Sequence, residues 1–145
     1  MKKRLKRKRK KRMILLNRSS TNNSVFTLYE KTTLSPVYYL FEFTDEDTNT
    51  SKLFTGVDIS TNKPRYNEFV IELTEGVEDL LNSVINLQVN GYYTYKVYEQ
   101  SSPTNLLVAN AGAVVELGKV KVDGIKLPII KEYTEQPNTK TVYNG

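Results

Sequence analysis

VINLQVNGYYTYKVYEQ, residues 84–100, alternates apolar and polar side chains on both sides of an Asn-Gly pair. Ile85, Leu87 and Val89 share one parity before it, and Tyr93, Tyr95 and Val97 share one after it. A period of two puts such residues on one face of a strand. Asn-Gly supplies the two residues that most readily take the positive φ of a type I′ turn. The stretch therefore predicts a β-hairpin, and short strands joined by turns become the expectation for the chain around it.

Upstream, EFVIEL (68–73) sends Phe69, Ile71 and Leu73 to one side and Glu68 and Glu72 to the other. PVYYLFEFT (36–44) lines one face with Val37, Tyr39, Phe41 and Phe43, and Tyr38 and Leu40 make its second face apolar too. That pattern marks a central strand. The acidic turn TDEDTNTS (44–51) leads to KLFTGVDIS (52–60), which is expected to pair back as a second hairpin. VFTLYEK (25–31) reads as a half-buried strand with Phe26 and Leu28 inward. In TEGVEDLLNS (74–83) the spacing of Val77, Leu80 and Leu81 predicts one or two helical turns facing a core.

Downstream, SSPTNLLVANAGA (101–113) is a long connection with room for a short strand at residues 106–109. In VVELGKVKV (114–122) the apolar parity changes between Leu117 and Val120, which predicts a β-bulge at Gly118. Beyond Gly124, Pro128 interrupts the last apolar run, so residues 125–145 read as an edge strand and tail.

Seven or eight short strands with almost no helix predict an all-β fold, a single antiparallel β-sandwich. Leu87, Gly91 and Tyr93 match the L-x-x-x-G-x-Y spacing of the tyrosine corner in immunoglobulin-like domains, so the expected sandwich is Ig-like. The 145 residues suffice for one such domain. The body is expected over 25–124, preceded by a basic arm and polar linker over 1–24.

Ten of the first twelve residues are basic: Lys2, Lys3, Arg4, Lys6, Arg7, Lys8, Arg9, Lys10, Lys11 and Arg12. The whole chain has 21 Lys and Arg against 16 Asp and Glu, so removing the arm leaves 11 cations against those 16 acids. A cationic arm is thus joined to an acidic body. Any contact with nucleic acid, or with an acidic protein surface, is expected in the arm, which self-repulsion keeps disordered or extended when free. Initiation at Met13 would remove the arm altogether. Residues 13–16 are too short an apolar run for a secretory signal, and no segment approaches a membrane span, so no membrane partner is expected.

The chain has no Cys and no His. Disulfides, thiolate metal sites and His-based acid–base catalysis are therefore excluded, and a non-enzymatic protein without cofactors is expected. Asp45, Glu46 and Asp47 have the oxygen ligands a calcium ion prefers, but a solvated turn is the simpler reading. Glu75, Glu78 and Asp79 with Asp58 supply carboxylates for glycoside hydrolysis, yet nothing in their spacing brings two of them to a cleft. Among the tyrosines of 92–98, Tyr92 and Tyr98 share the parity of Lys96, opposite the core pair Tyr93 and Tyr95. Tyr92, Lys96 and Tyr98 are the expected partner surface, for another protein or for stacked bases or sugars.

GYYTYKVYEQ (91–100) and VVELGKVKVDG (114–124), joined by the polar loop 101–113, carry the pattern G-x-Y-x-Y-x-V-Y-E followed by V-E-x-G-K-x-x-V. This resembles small head proteins of tailed bacteriophages, closest to those of the crAss-like group, over residues 90–124. The resemblance implies an auxiliary capsid protein, made in the host cytoplasm and located in the virion. Its β-sandwich body would bind the major capsid protein or other head proteins and stabilise the shell. Two alternatives remain: a nucleic-acid packaging protein without shell attachment, and a carbohydrate-binding sandwich of a virion.

Overall fold

A computed structural model of the chain describes residues 13–18, 21–87 and 91–124. The predicted basic arm and the predicted C-terminal edge strand lie outside these residues. The described chain is all-β: β1 (Met13–Asn17), β2 (Asn22–Phe26), β3 (Tyr38–Asp45), β4 (Ser51–Thr55), β5 (Asn67–Leu73), β6 (Val84–Ile85), β7 (Tyr92–Gln100) and β8 (Val114–Asp123). One five-stranded sheet has the order β1-β8-β7-β3-β4, and a three-stranded sheet has the order β2-β5-β6. β3 lies inside the larger sheet, as its two apolar faces require. β4 returns beside it through the acidic turn, where Asn49 takes a positive φ and the Asp45 carboxylate accepts the Asp47 and Thr48 amides.

The two sheets face one another through a single core. Phe26 of β2 meets Phe41 of β3 with ring centres 5.3 Å apart and Tyr95 of β7 at 5.8 Å, and Phe69 of β5 stands edge-on to Phe41 at 4.9 Å. Tilted and edge-to-face rings align positive edges with negative faces and add to the area they bury. Phe54 extends the cluster by stacking on Phe41.

Five expectations change. The sheets are mixed, because β1 runs parallel to β8 and β6 runs parallel to β5. The 84–100 stretch is no hairpin: β6 pairs with β5 in one sheet, whereas β7 pairs with β3 and β8 in the other. Ile85 and Leu87 are buried as their parity demands, but parity selects a face and not a neighbour. Asn90 and Val89 lie outside the described residues.

Residues 74–83 form turns, not a helix. Asp79 bridges to Val84, Ser83 has φ 59°, and Val77 is 93% exposed while Leu80 reaches the core. The bulge predicted at Gly118 is not there, since Gly118 stays in register with Tyr95. The shift lies where Val97 pairs with Glu116 and Tyr98 with Val114, leaving Val115 as the extra residue. Finally, residues 106–109 hold no strand; a 3-10 turn occupies Val108–Asn110.

The ordered body also begins earlier than Val25. Residues 13–17 and 22–24, expected as arm and linker, are strand. Leu16 is fully buried, and Asn22 explains how a polar stretch is held: its side chain accepts from the Asn17 amide and donates to the carbonyls of Asn17 and Ile71. One buried amide thus ties the end of β1 to β2 and β5. The strand expected over 25–31 stops at Phe26, and Tyr29–Lys31 is a 3-10 turn.

Candidate functional site

Register and alternation define the outer face of the five-stranded sheet. Leu117 of β8, Lys96 of β7, Glu42 of β3 and Leu53 of β4 form one cross-strand row. Met13, Lys119, Thr94 and Thr44 form the next, and Leu15, Lys121 and Tyr92 a third. On the opposite side of the same strands, Tyr93, Tyr95 and Val97 enter the core.

The sequence-derived surface divides in two. Tyr92 and Lys96 are exposed on this outer face. Tyr98 shares their parity but is buried, and its hydroxyl donates to Glu42 Oε1 at 3.1 Å. It is therefore no free partner residue, a correction to the expected trio. Its covering is the 101–113 connection: Gln100 exchanges hydrogen bonds with Asn105, and Thr55 Oγ1 donates to the Pro103 carbonyl. Leu40, on the same face, is fully buried. Burial, with the Glu42 carboxylate beside it, pushes the Tyr98 hydroxyl above the usual phenol range.

The other half of the face is open. Met13 is 50% exposed, Leu15 63%, Leu117 61% and Tyr92 47%. Thr94, Lys96, Leu117 and Lys119 border a depression of about 220 Å³. Lys119 pairs with Glu46 at 3.2 Å, Lys121 pairs with Asp123 at 3.5 Å, and the Lys121 ammonium lies 5.9 Å from the centre of the Tyr92 ring. Sequence reading missed Met13, Leu15 and Leu117, because a register slip was expected to hide Leu117 and β1 was not recognised as a strand.

A larger opening of about 580 Å³ lies at one end of the sheets, among Arg18, Asp45, Lys52, Asn86 and Tyr93. Its charges are committed within the fold. Arg18 donates to Asn86 Oδ1 and the Leu87 carbonyl and pairs with Glu75, while Lys52 pairs with Glu78 at 2.7 Å. Lys52 and the Asn86 amide hold the Glu78 carboxyl below the usual carboxylate range.

The Asp58 carboxylate is likewise committed within the fold. Asp58 accepts from the amides of Ser60 and Glu68 and from Asn67 Nδ2 at 2.7 Å. Among the described residues no three His, Cys, Asp or Glu side chains gather to hold a metal ion. No helix among them is long and apolar enough to cross a membrane.

The fold and this face define an all-β protein with two facing sheets and one partly open apolar and charged sheet surface. No family model matches the chain, and neither a curated protein nor a solved structure gives a match.

Proposed function

We propose that the chain is a non-enzymatic structural protein of a phage head, an auxiliary capsid component built as an Ig-like sandwich with a polyanion-binding arm. The observation that carries this reading is the separation of two kinds of surface along one chain. Ten cations stand in the first twelve residues, whereas the sheet face that begins at Met13 exposes Leu15, Leu117 and Tyr92 beside paired lysines. The first suits a polyanion, packaged DNA or an acidic capsid seam; the second suits protein. The Ig-like part of the reading is supported by strand order: β8, β7 and β3 lie side by side as the last, second-last and third strands of an immunoglobulin sandwich do, with β1 parallel to β8, and they face the antiparallel pair β2 and β5. The carbohydrate alternative loses half of its stacking platform with Tyr98 under the 101–113 connection.

Co-sedimentation with purified phage heads tests the proposal, using the full chain and a variant lacking residues 2–12. The full chain is expected to join heads, and the truncated chain to retain attachment through its body while losing affinity for free DNA. Loss of both attachments together would favour a nucleic-acid packaging protein without a shell contact.

A further inference from the structure

We infer that the free edge of β1 takes an added β-strand from a protein partner, an extended segment whose side chains are acidic where it runs beside the arm. The inference rests on the reading of the arm as a polyanion-binding element and commits that polyanion, at this edge, to protein.

β1 is the last strand of its sheet, and the phase of its pairing decides which backbone groups are left over. In a parallel pair, alternate residues of a strand turn both N–H and C=O to the same neighbour. The Arg18 amide donates to the Asp123 carbonyl, so Leu16 and Ile14, two and four positions back, also turn to β8. Asn17, Leu15 and Met13 turn the other way. Asn17 bears out the phase: its N–H and C=O are both taken by the Asn22 side chain, which stands off the edge as the end of a neighbouring strand would. Nothing among the described residues does the same for Leu15 or Met13. These two residues, with side chains half or more exposed, present four unpaired backbone groups, a template for a further strand.

Asn22 also fixes the direction in which an added strand can grow. It closes the edge at Asn17, so a longer strand continues past Met13, beside Arg12, Lys11 and Lys10. Adjacent strands lie about 4.8 Å apart, where opposite charges stabilise a pair and like charges destabilise it. A second copy of β1 laid along this edge would bring its own run of cations there, because its edge is closed at Asn17 in the same way. DNA has the opposite charge but no amides and carbonyls with which to continue a sheet. A peptide strand bearing carboxylates meets both requirements: its backbone pairs with Leu15 and Met13, and its side chains neutralise the arm.

Fluorescence anisotropy tests this with the full chain and a labelled peptide of about ten residues, the upper length of common strands, alternating Thr and Glu. The salt is ~0.15 M, where charges are screened beyond ~8 Å. Saturable binding is expected, and a Thr-Lys peptide of the same length should not bind. Leu15→Pro removes an N–H that points away from β8, a position at which an edge strand tolerates proline. It should weaken binding of the Thr-Glu peptide about tenfold, the order of one lost backbone hydrogen bond, and leave affinity for duplex DNA unchanged. Leu15→Thr, which keeps the N–H, should lose much less. Met13→Pro, on the same edge, gives the same test should Leu15→Pro lose its sheet signal in circular dichroism. No binding of the Thr-Glu peptide, equal binding of the Thr-Lys peptide, or undiminished binding by the folded proline variant would overturn the inference. A chain that joins phage heads yet ignores the peptide would remove the added strand and leave the shell reading standing. A chain that binds the peptide as expected but joins no heads would support the added strand and remove that reading.

Discussion

Glu99 holds Thr33 twice, accepting from its backbone amide at 2.6 Å and from its hydroxyl at 2.5 Å, although the two residues are 66 positions apart and Glu99 is 3% exposed. The Glu99 backbone meanwhile bonds Gly112 and Ala113. One residue of β7 therefore anchors both the segment leading into β3 and the connection that covers Tyr98.

Replacing Glu99 with Ala is expected to remove the charged acceptor of both Thr33 hydrogen bonds and loosen both connections, at a cost of about 1–3 kcal/mol. Urea unfolding followed by circular dichroism measures this. Glu99→Gln, which keeps an acceptor, should lose less.

Gly112 gives a steric test of the same joint. A Cβ there would lie 2.8 Å from the Glu99 carbonyl oxygen, a backbone atom that cannot swing away. Gly112→Ala is expected to destabilise by about 1–3 kcal/mol, in the range of overpacked sites, and to raise the proteolytic sensitivity of the 101–113 connection.

Phe41 touches Phe26, Phe54 and Phe69, joining strands of both sheets. Phe41→Ala should cost about 3–5 kcal/mol, while Val77→Ala, at an exposed turn, should be near neutral. Thermal melts of the two variants provide the comparison.

Asp58 predicts a pH dependence. Burial opposes its ionisation, but hydrogen bonds from Ser60, Asn67 and Glu68 outweigh that effect and hold its carboxyl below the usual aspartate value. A folded-state pKa below the unfolded one means that the unfolded chain binds the proton more readily. The contribution is then complete above about pH 4, the ordinary aspartate value, and disappears as pH falls through the lower folded value. Asp58→Asn should flatten that part of the acid-stability curve measured by urea unfolding at successive pH values.

Salt dependence tests the arm. If all ten cations neutralise phosphates of duplex DNA, the logarithm of affinity should fall with the logarithm of salt with a slope of about −9, and deletion of residues 2–12 should flatten it towards zero. Fluorescence anisotropy with a labelled duplex gives the slope directly.

Much of the core could be read from the chain because burial follows parity. Phe69, Ile71 and Leu73, or Tyr93, Tyr95 and Val97, declare their inward face without reference to any partner. Pairing could not be read in the same way. Ile85 and Leu87 have the alternation of a hairpin arm, yet their sheet is the other one, because the choice between sheets depends on contacts distant in sequence. β1 was obscured by its sequence neighbours: MILLN is short, follows ten cations and precedes a polar stretch, and its strand character comes from β8, over a hundred residues later. Half of the candidate face was legible in Tyr92 and Lys96. Tyr98 was not, since parity says which side a residue takes but not whether a loop lies over it.

The parallel β1–β8 pairing has a mechanical consequence. The arm leaves the N-terminal end of β1, and the chain beyond Asp123 leaves the C-terminal end of β8, at the opposite end of the paired segment. A pull on the arm against that far end would slide the two strands lengthwise and load their hydrogen bonds together. If the pull instead parted the strands sideways, the bonds would break one after another. The five residues of β1 thus form a shear clamp, and tension from whatever holds the arm is shared across the strand before it can reach the aromatic core.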